Sequence, residues 1–199
     1  MSSPASIGNF SQSSQQGGAL VVVALGSNHA DPAAAVRLAC SVVVSALGLR
    51  GAWGSSLWQT QPAEAASGAP FVNAVLCGST GLTAPVVLQT LHGLERAWGR
   101  DRATEGHHGS RPLDLDLLDH GGQEMDLASL QLPHPRLHTR GFVLGPLAEA
   151  WPQWQHPRLG RTALALWQAH QLAHGHNIAE TPLWPSPLPV RQTTERLPG

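Results

Sequence analysis

The chain has no lysine: all twelve residues counted as Lys+Arg are arginine. That excludes a Walker A phosphate loop and the strand lysine of protein kinases, both of which need one. Phosphate held by this protein must rest on arginine, histidine, backbone N–H groups or a metal ion. Cysteine is scarce as well. The only two, Cys40 and Cys77, lie far apart without ligand spacing, and read as small buried apolar residues in a reducing compartment. Charged residues make up only 13% and the formal net charge is −1, which argues against a nucleic-acid-binding surface. No apolar run approaches the roughly 18 residues of a membrane span, and the N-terminus lacks a charged stretch ahead of an apolar core. A cytoplasmic protein is expected, with neither membrane nor nucleic acid as partner. What is present is 42% hydrophobic residues in 199, enough for one globular domain with a real core.

Residues 1–18, rich in Ser, Gln and Gly, are expected to be a disordered tail, residues 19–172 the folded domain, and 173–199 a loosely ordered C-terminal tail. The apolar run Ala19–Leu25, closed by Gly26-Ser27-Asn28, predicts a central strand and a tight turn. Asp31 as N-cap and Pro32 at the first helical position open a helix that Gly48 ends. Strands are expected at Trp53–Thr60 and Phe71–Cys77, with Phe71, Asn73 and Val75 on one face. A helix over 84–99 carries the stripe Val87, Leu88, Leu91, Leu94 and Trp98, and Glu95 falls inside that stripe. A carboxylate there needs a partner, either a nearby arginine or a site that the helix face rims. Asp119–Gln123 resembles a hairpin turn, and Thr139 is expected to cap a helix over 140–150. A last amphipathic helix is expected over 161–172, docked through Leu164, Leu166 and Trp167, with Trp151 and Trp154 packing against the end of the sheet. The order strand, helix, strand, strand, helix, strand predicts an α+β fold. It is a ferredoxin-like βαββαβ sandwich with an antiparallel sheet, an added hairpin and C-terminal helices. Helices would cover one face and leave the other for a site.

The stretch from Arg111 to Asp119, RPLDLDLLD, alternates leucine and aspartate. In a strand this sends Asp114 and Asp116 to one face, roughly 6.5–7 Å apart, and Leu113, Leu115 and Leu117 to the other. Asp119 is out of phase and is expected on the leucine side. Two carboxylates side by side suit hard divalent cations such as Mg²⁺. They equally suit the solvated face of an edge strand. Arg100, Arg102, Arg111 and Arg140 surround the stretch in sequence and suit an anionic ligand, phosphate above all. His134 and His138 are four residues apart, but the prolines around them forbid the helix that would make the spacing a zinc signal.

Taken together, Ala24-Leu25-Gly26-Ser27-Asn28, Thr60-x-Pro62, Phe71-Val72-Asn73, Glu95 to Arg102, Gly109 to Leu118, Leu132 to Arg136 and Arg140 to Leu144 occur in one order. In that order the chain resembles the 6-hydroxymethyl-7,8-dihydropterin pyrophosphokinases of folate biosynthesis over roughly residues 19–160. The resemblance implies an ATP-dependent transferase, a diphosphokinase that moves pyrophosphate to the pterin hydroxymethyl group and releases AMP. It implies two Mg²⁺ ions on Asp114 and Asp116. Catalysis would involve Arg100, Arg111, Asp114 and Asp116. ATP contacts would come from His92, Glu95, Arg100, Arg102, Arg111, Leu117, His134 and Arg140. Thr60, Pro62, Phe71, Asn73 and Phe142 would hold the pterin, two of the chain's three Phe sandwiching it. The implied partners are small molecules only, ATP and the pterin, on a monomer.

The sequence departs from the family in the loop before the acidic strand, where His108-Gly109-Ser110-Arg111 stands in place of a bulky residue before Gly-Pro-Arg. The loop is one residue longer, Ala103 stands where some members have Lys, and Gln61 and Ala63 replace bulkier apolar residues. Two other functions compete with the leading one: a two-metal phosphotransferase with another substrate, and a weakened paralogue that binds nucleotide or pterin without turnover.

Overall fold

Ala19–Ser27 forms β1 at the heart of the sheet, because six of its nine residues are fully buried and find apolar layers on both sides. The computed structural model describes residues 18–60, 69–99, 111–174 and 181–182. The N-terminal tail, Pro62, Arg100, Arg102 and the altered loop residues Gln61, Ala63, Ala103 and 108–110, for which the sequence raised expectations, lie outside the described residues.

Helix α1 (Pro32–Ala46) starts as expected: the Asp31 carboxylate accepts the Ala34 N–H at 3.0 Å. Gly48, at φ 57°, turns the chain away in a conformation that costs a residue with Cβ. The next expected strand is two: β2 (Arg50–Gly54) and β3 (Trp58–Thr60), both antiparallel to β4 (Phe71–Thr80). Ser55-Ser56-Leu57 breaks them, since Ser55 Oγ takes the Val75 N–H at 3.0 Å in place of a regular ladder bond. Helix α2 (Ala84–Ala97) follows, then β5 (Asp114–His120), antiparallel to β1.

The strand order β5-β1-β4-β3, all antiparallel, with α1 and α2 crossing one face, is the expected βαββαβ sandwich. The first core joins the inward faces of β1, β4 and β5 to Val36, Ala39 and Val43 of α1 and Val87 and Leu91 of α2. Leu113, Leu115 and Leu117 all belong to it.

Several expectations change beyond β5. The Gly121-Gly122 turn, both residues at positive φ, does not close a hairpin on β5. It leads to a separate one, β6 (Met125–Leu127) with β7 (Leu130–Leu132). Thr139 caps nothing: its hydroxyl donates to the Arg136 carbonyl at 3.1 Å inside a short 3-10 turn, and Arg140 is the residue that precedes α3 (Gly141–Ala150). Helix α4 (Ala163–His174) runs two residues past its expected end. Thr181–Pro182, placed in the expected loose tail, pairs as β8 with β3.

Helices α3 and α4 cover part of the face expected to be open, forming a second core in which Val143, Leu144, Leu147 and Leu166 meet Val22, Val75, Cys77 and Leu118. Trp154 is buried in this core, and Trp151 meets the Trp53 edge at 5.5 Å between ring centroids. Leu164 is 40% exposed and takes no part in the docking expected of it. Cys40 and Cys77 are buried free thiols, and burial pushes the Cys40 thiol up to about 12.

Candidate active site

The half of the sheet that α3 and α4 leave uncovered carries the side chains the sequence singled out. In register, Asn73, Gly26 and Asp114 form one row across β4, β1 and β5, and Val75, Ala24 and Asp116 form the next. Gly26 is what lets the first row close up. A Cβ there would stand 2.8 Å from Asn73 Oδ1 and 3.9 Å from Asp114 Cβ. The Asn73 amide therefore lies across the central strand, and its Nδ2 donates to Thr60 Oγ1 at 2.8 Å. Both groups are nearly buried, so their orientation is set before any ligand arrives. Phe71 begins β4 and Phe142 lies in the first turn of α3; both are half-buried.

Asp114 and Asp116 share this face as the alternation requires. Each meets a guanidinium among the described residues: Arg111 Nη1 lies 3.0 Å from Asp114 Oδ2 and Arg140 Nη1 lies 3.5 Å from Asp116 Oδ2. All four side chains keep between 21% and 31% of their surface, so these pairs can exchange partners with an incoming ion. The Arg140 guanidinium also sits 5.4 Å from the centre of the Phe142 ring. Burial pushes its pKa down, as does Arg136, while Asp116 and Asp114 push it up.

A cavity of about 520 Å³ opens along the outer edge of β5, within the range of small-ligand sites. It brings together four expected residues from three parts of the chain: His92 from α2, Asp116 and Leu117 from β5, and His134. The His134 N–H donates to the Leu118 carbonyl at 2.9 Å, which fixes the segment against the strand edge. Its imidazole pKa is pushed down mainly by burial and further by Arg140 and Arg136, against Asp116.

Glu95 is only 1% exposed, and its Oε1 accepts the Leu115 N–H at 2.9 Å, which anchors the acidic strand. One expectation fails on β5. Asp119 does not join the leucines. The register slips between Val22 and Val23, so Leu118 is an extra residue and Asp119 returns to the face of Asp114 and Asp116. There it is buried under Trp154, whose indole N–H donates to Oδ2 at 3.0 Å, and burial raises its pKa.

Sequence reasoning left two residues of the site unassigned. The Asn28 side-chain oxygen accepts the Arg111 N–H at 2.6 Å, and the buried Ser27 hydroxyl donates to the Pro112 carbonyl at 2.9 Å. They tie the turn after β1 to the residues that aim Arg111. The signal was present, since Ser and Asn after Gly are the side chains that bond to neighbouring backbone. The β6–β7 hairpin, which lines the cavity from Asp126 to Gln131, gave no such signal.

Paired carboxylates on a rigid strand with guanidinium groups against them, beside a ligand-sized cavity, are the equipment of phosphokinases, transferases that work by positioning and charge neutralisation. The sequence profile of 7,8-dihydro-6-hydroxymethylpterin-pyrophosphokinase (HPPK) matches residues 22–152. A Pseudomonas aeruginosa protein named 2-amino-4-hydroxy-6-hydroxymethyldihydropteridine pyrophosphokinase is 36% identical over 137 residues, 69% of this chain and 83% of that one. A Synechocystis protein of the same name is 41% identical over 96 residues, about half of each chain (48% and 48%). A solved Plasmodium falciparum HPPK-DHPS variant with pteroate superposes with a TM-score of 0.62, covering 84% of this chain and 44% of that one. At 14% identity that likeness speaks for the fold alone. The chain belongs to the HPPK family.

Proposed function

We propose that this chain transfers the pyrophosphoryl group of ATP to the hydroxymethyl oxygen of 6-hydroxymethyl-7,8-dihydropterin, with release of AMP, as a step of folate biosynthesis. Family membership supports the reaction. The observation that carries it to this site is the position of Asp114 and Asp116. They stand between the Thr60–Asn73 pair on one side and the cavity of His92, Leu117 and His134 on the other. The pterin edge takes the Asn73 amide, which offers both a donor and an acceptor, and the ring lies between Phe71 and Phe142. Pro62 is proposed as a further pterin contact, as the resemblance to the family implies. The nucleotide occupies the cavity, and its triphosphate runs over the acidic pair toward the pterin.

The hydroxymethyl oxygen attacks the β-phosphorus, the bond from that phosphorus to the α–β bridging oxygen breaks, and AMP leaves. The charge is taken up by cations. Arg111 and Arg140 already grip carboxylate oxygens, and a guanidinium fork accepts phosphate oxygens in the same way. Arg100 and Arg102 add to this clamp. The donor set fits Mg²⁺, which takes one or two protein carboxylates and completes its shell with water and phosphate oxygens. Asp114 and Asp116 would hold two such ions, which when bound neutralise the charge of the phosphates. Asp116 would also help draw off the hydroxyl proton.

The catalytic domain in this reading is residues 19–172, and it works as a cytoplasmic monomer with small-molecule substrates, without nucleic acid. No helix among the described residues is long and apolar enough to cross a membrane. The test is direct: protein, ATP, Mg²⁺ and the hydroxymethyl-dihydropterin, followed for AMP. AMP formation that depends on the pterin is expected. Folded protein that gives none above background overturns the proposal.

A further inference from the structure

The Thr60–Asn73 pair has a support behind it that lies outside the substrate contacts. Trp58 is the cross-strand partner of Asn73 and precedes Thr60 by two residues, so all three face the same side of the sheet. Its indole lies flat on α3 at Gly145, where an added Cβ would come within 2.6 Å of Cζ3. Its edge meets Trp167 of α4 at 5.7 Å between ring centroids, at 86°. Its Nε1–H donates to Glu149 Oε2 at 2.6 Å. The other oxygen of Glu149 accepts the Ser56 N–H at 3.1 Å and also the Ser56 hydroxyl. Three donors from the β2–β3 break and from β3 thus converge on one carboxylate at the end of α3. The opposite end of α3 carries Phe142.

We infer that Trp58, clamped by Glu149 and Trp167, is the positioning residue that sets the pterin wall. Through it, α3 fixes the spacing between Phe142 and the Thr60–Asn73 pair. Trp167 lies beyond the residues matched by the family profile, so this part of the clamp is a feature of this chain's C-terminal segment. Only a carboxylate answers all three donors, because an amide turns an NH₂ toward one of them. The nucleotide cavity, at the outer edge of β5, is built from none of these residues.

The inference rests on the pterin reading above, and the experiment separates the two. Wild type is assayed first; no AMP overturns the function itself. Given turnover, Glu149→Gln and Trp167→Ala are compared with wild type for kcat and for both KM values. The KM for the pterin is expected to rise by about tenfold, with kcat and the ATP KM held within about twofold, since a misplaced contact acts on the substrate it touches. Trp167→Phe, which keeps an aromatic edge against Trp58, is expected to restore the pterin KM. An unchanged pterin KM overturns the inference. So does a parallel rise of both KM values with a falling Tm, which marks a general loss of structure.

Discussion

Asp114 and Asp116 each meet a described guanidinium through Oδ2, at 3.0 and 3.5 Å, and keep about a quarter of their surface. Partly exposed pairs of this kind contribute little to stability, typically about 0–1 kcal/mol. Removing either carboxylate should therefore spare the fold and remove the chemistry. Asp114→Ala and Asp116→Ala are each expected to lower kcat/KM by more than about 100-fold while Tm shifts little. A variant within about tenfold of wild type would refute the metal role. Arg111→Ala is expected to cost ~2–4 kcal/mol of transition-state stabilisation, read as kcat/KM. Asp119 looks similar in sequence and behaves differently. Its folded pKa is raised by burial, so its contribution to stability is present below the usual carboxylate range and is lost as pH rises through the raised value. Asp119→Asn keeps an acceptor for the Trp154 indole. In denaturant titrations it should gain stability over wild type at neutral pH, and the gain should vanish in acid.

Among the elements, β5 depends most on its support. It is the edge strand of the sheet, hydrogen-bonded to β1 on one side, and the Glu95 carboxylate accepts the Leu115 N–H. Glu95→Ala leaves that buried donor without its partner, at about 1–3 kcal/mol. Glu95→Gln retains an acceptor and is expected to recover most of the loss in Tm. If the two variants behave alike, the bond does not hold the strand. Glu95 also shows where helical periodicity stops being informative. The 3.6-residue pattern puts it on the core face, but only the approach of α2 to β5 shows that its partner is a strand amide.

At the scale of the molecule, the sheet is packed on both faces, and the site occupies the part of the second face that α3 and α4 leave uncovered. Three imidazoles, His134 at the cavity, His156 against Trp154 and His170 against Trp167, sit in environments that disfavour their charged form. The pKa values of His134, His156 and His170 are all lowered, with burial the largest cause for each. A depressed folded pKa contributes stability that is full above the ordinary value of 6.5 and is lost as pH falls through the lowered one. Stability measured in denaturant should accordingly drop as pH falls below the ordinary value of 6.5. His156→Gln, outside the site, should flatten that slope.

The alternation of Asp and Leu, the run Ala19–Leu25, the cap at Asp31 and the stripe of α2 were legible in the sequence because each depends on side chains a few residues apart. Strand order followed from the sequence of elements, since short connections admit few arrangements. The candidate site was legible as a set of residue types in a fixed order. What the folded chain alone decided was non-local: the slip at Leu118 that returns Asp119 to the site face, the Glu95 bond to β5, the hairpin that walls the cavity, and the seat of Trp58 on α3. Each joins segments 20 to nearly 100 residues apart, through contacts that exist only after the sheet and its two layers have met.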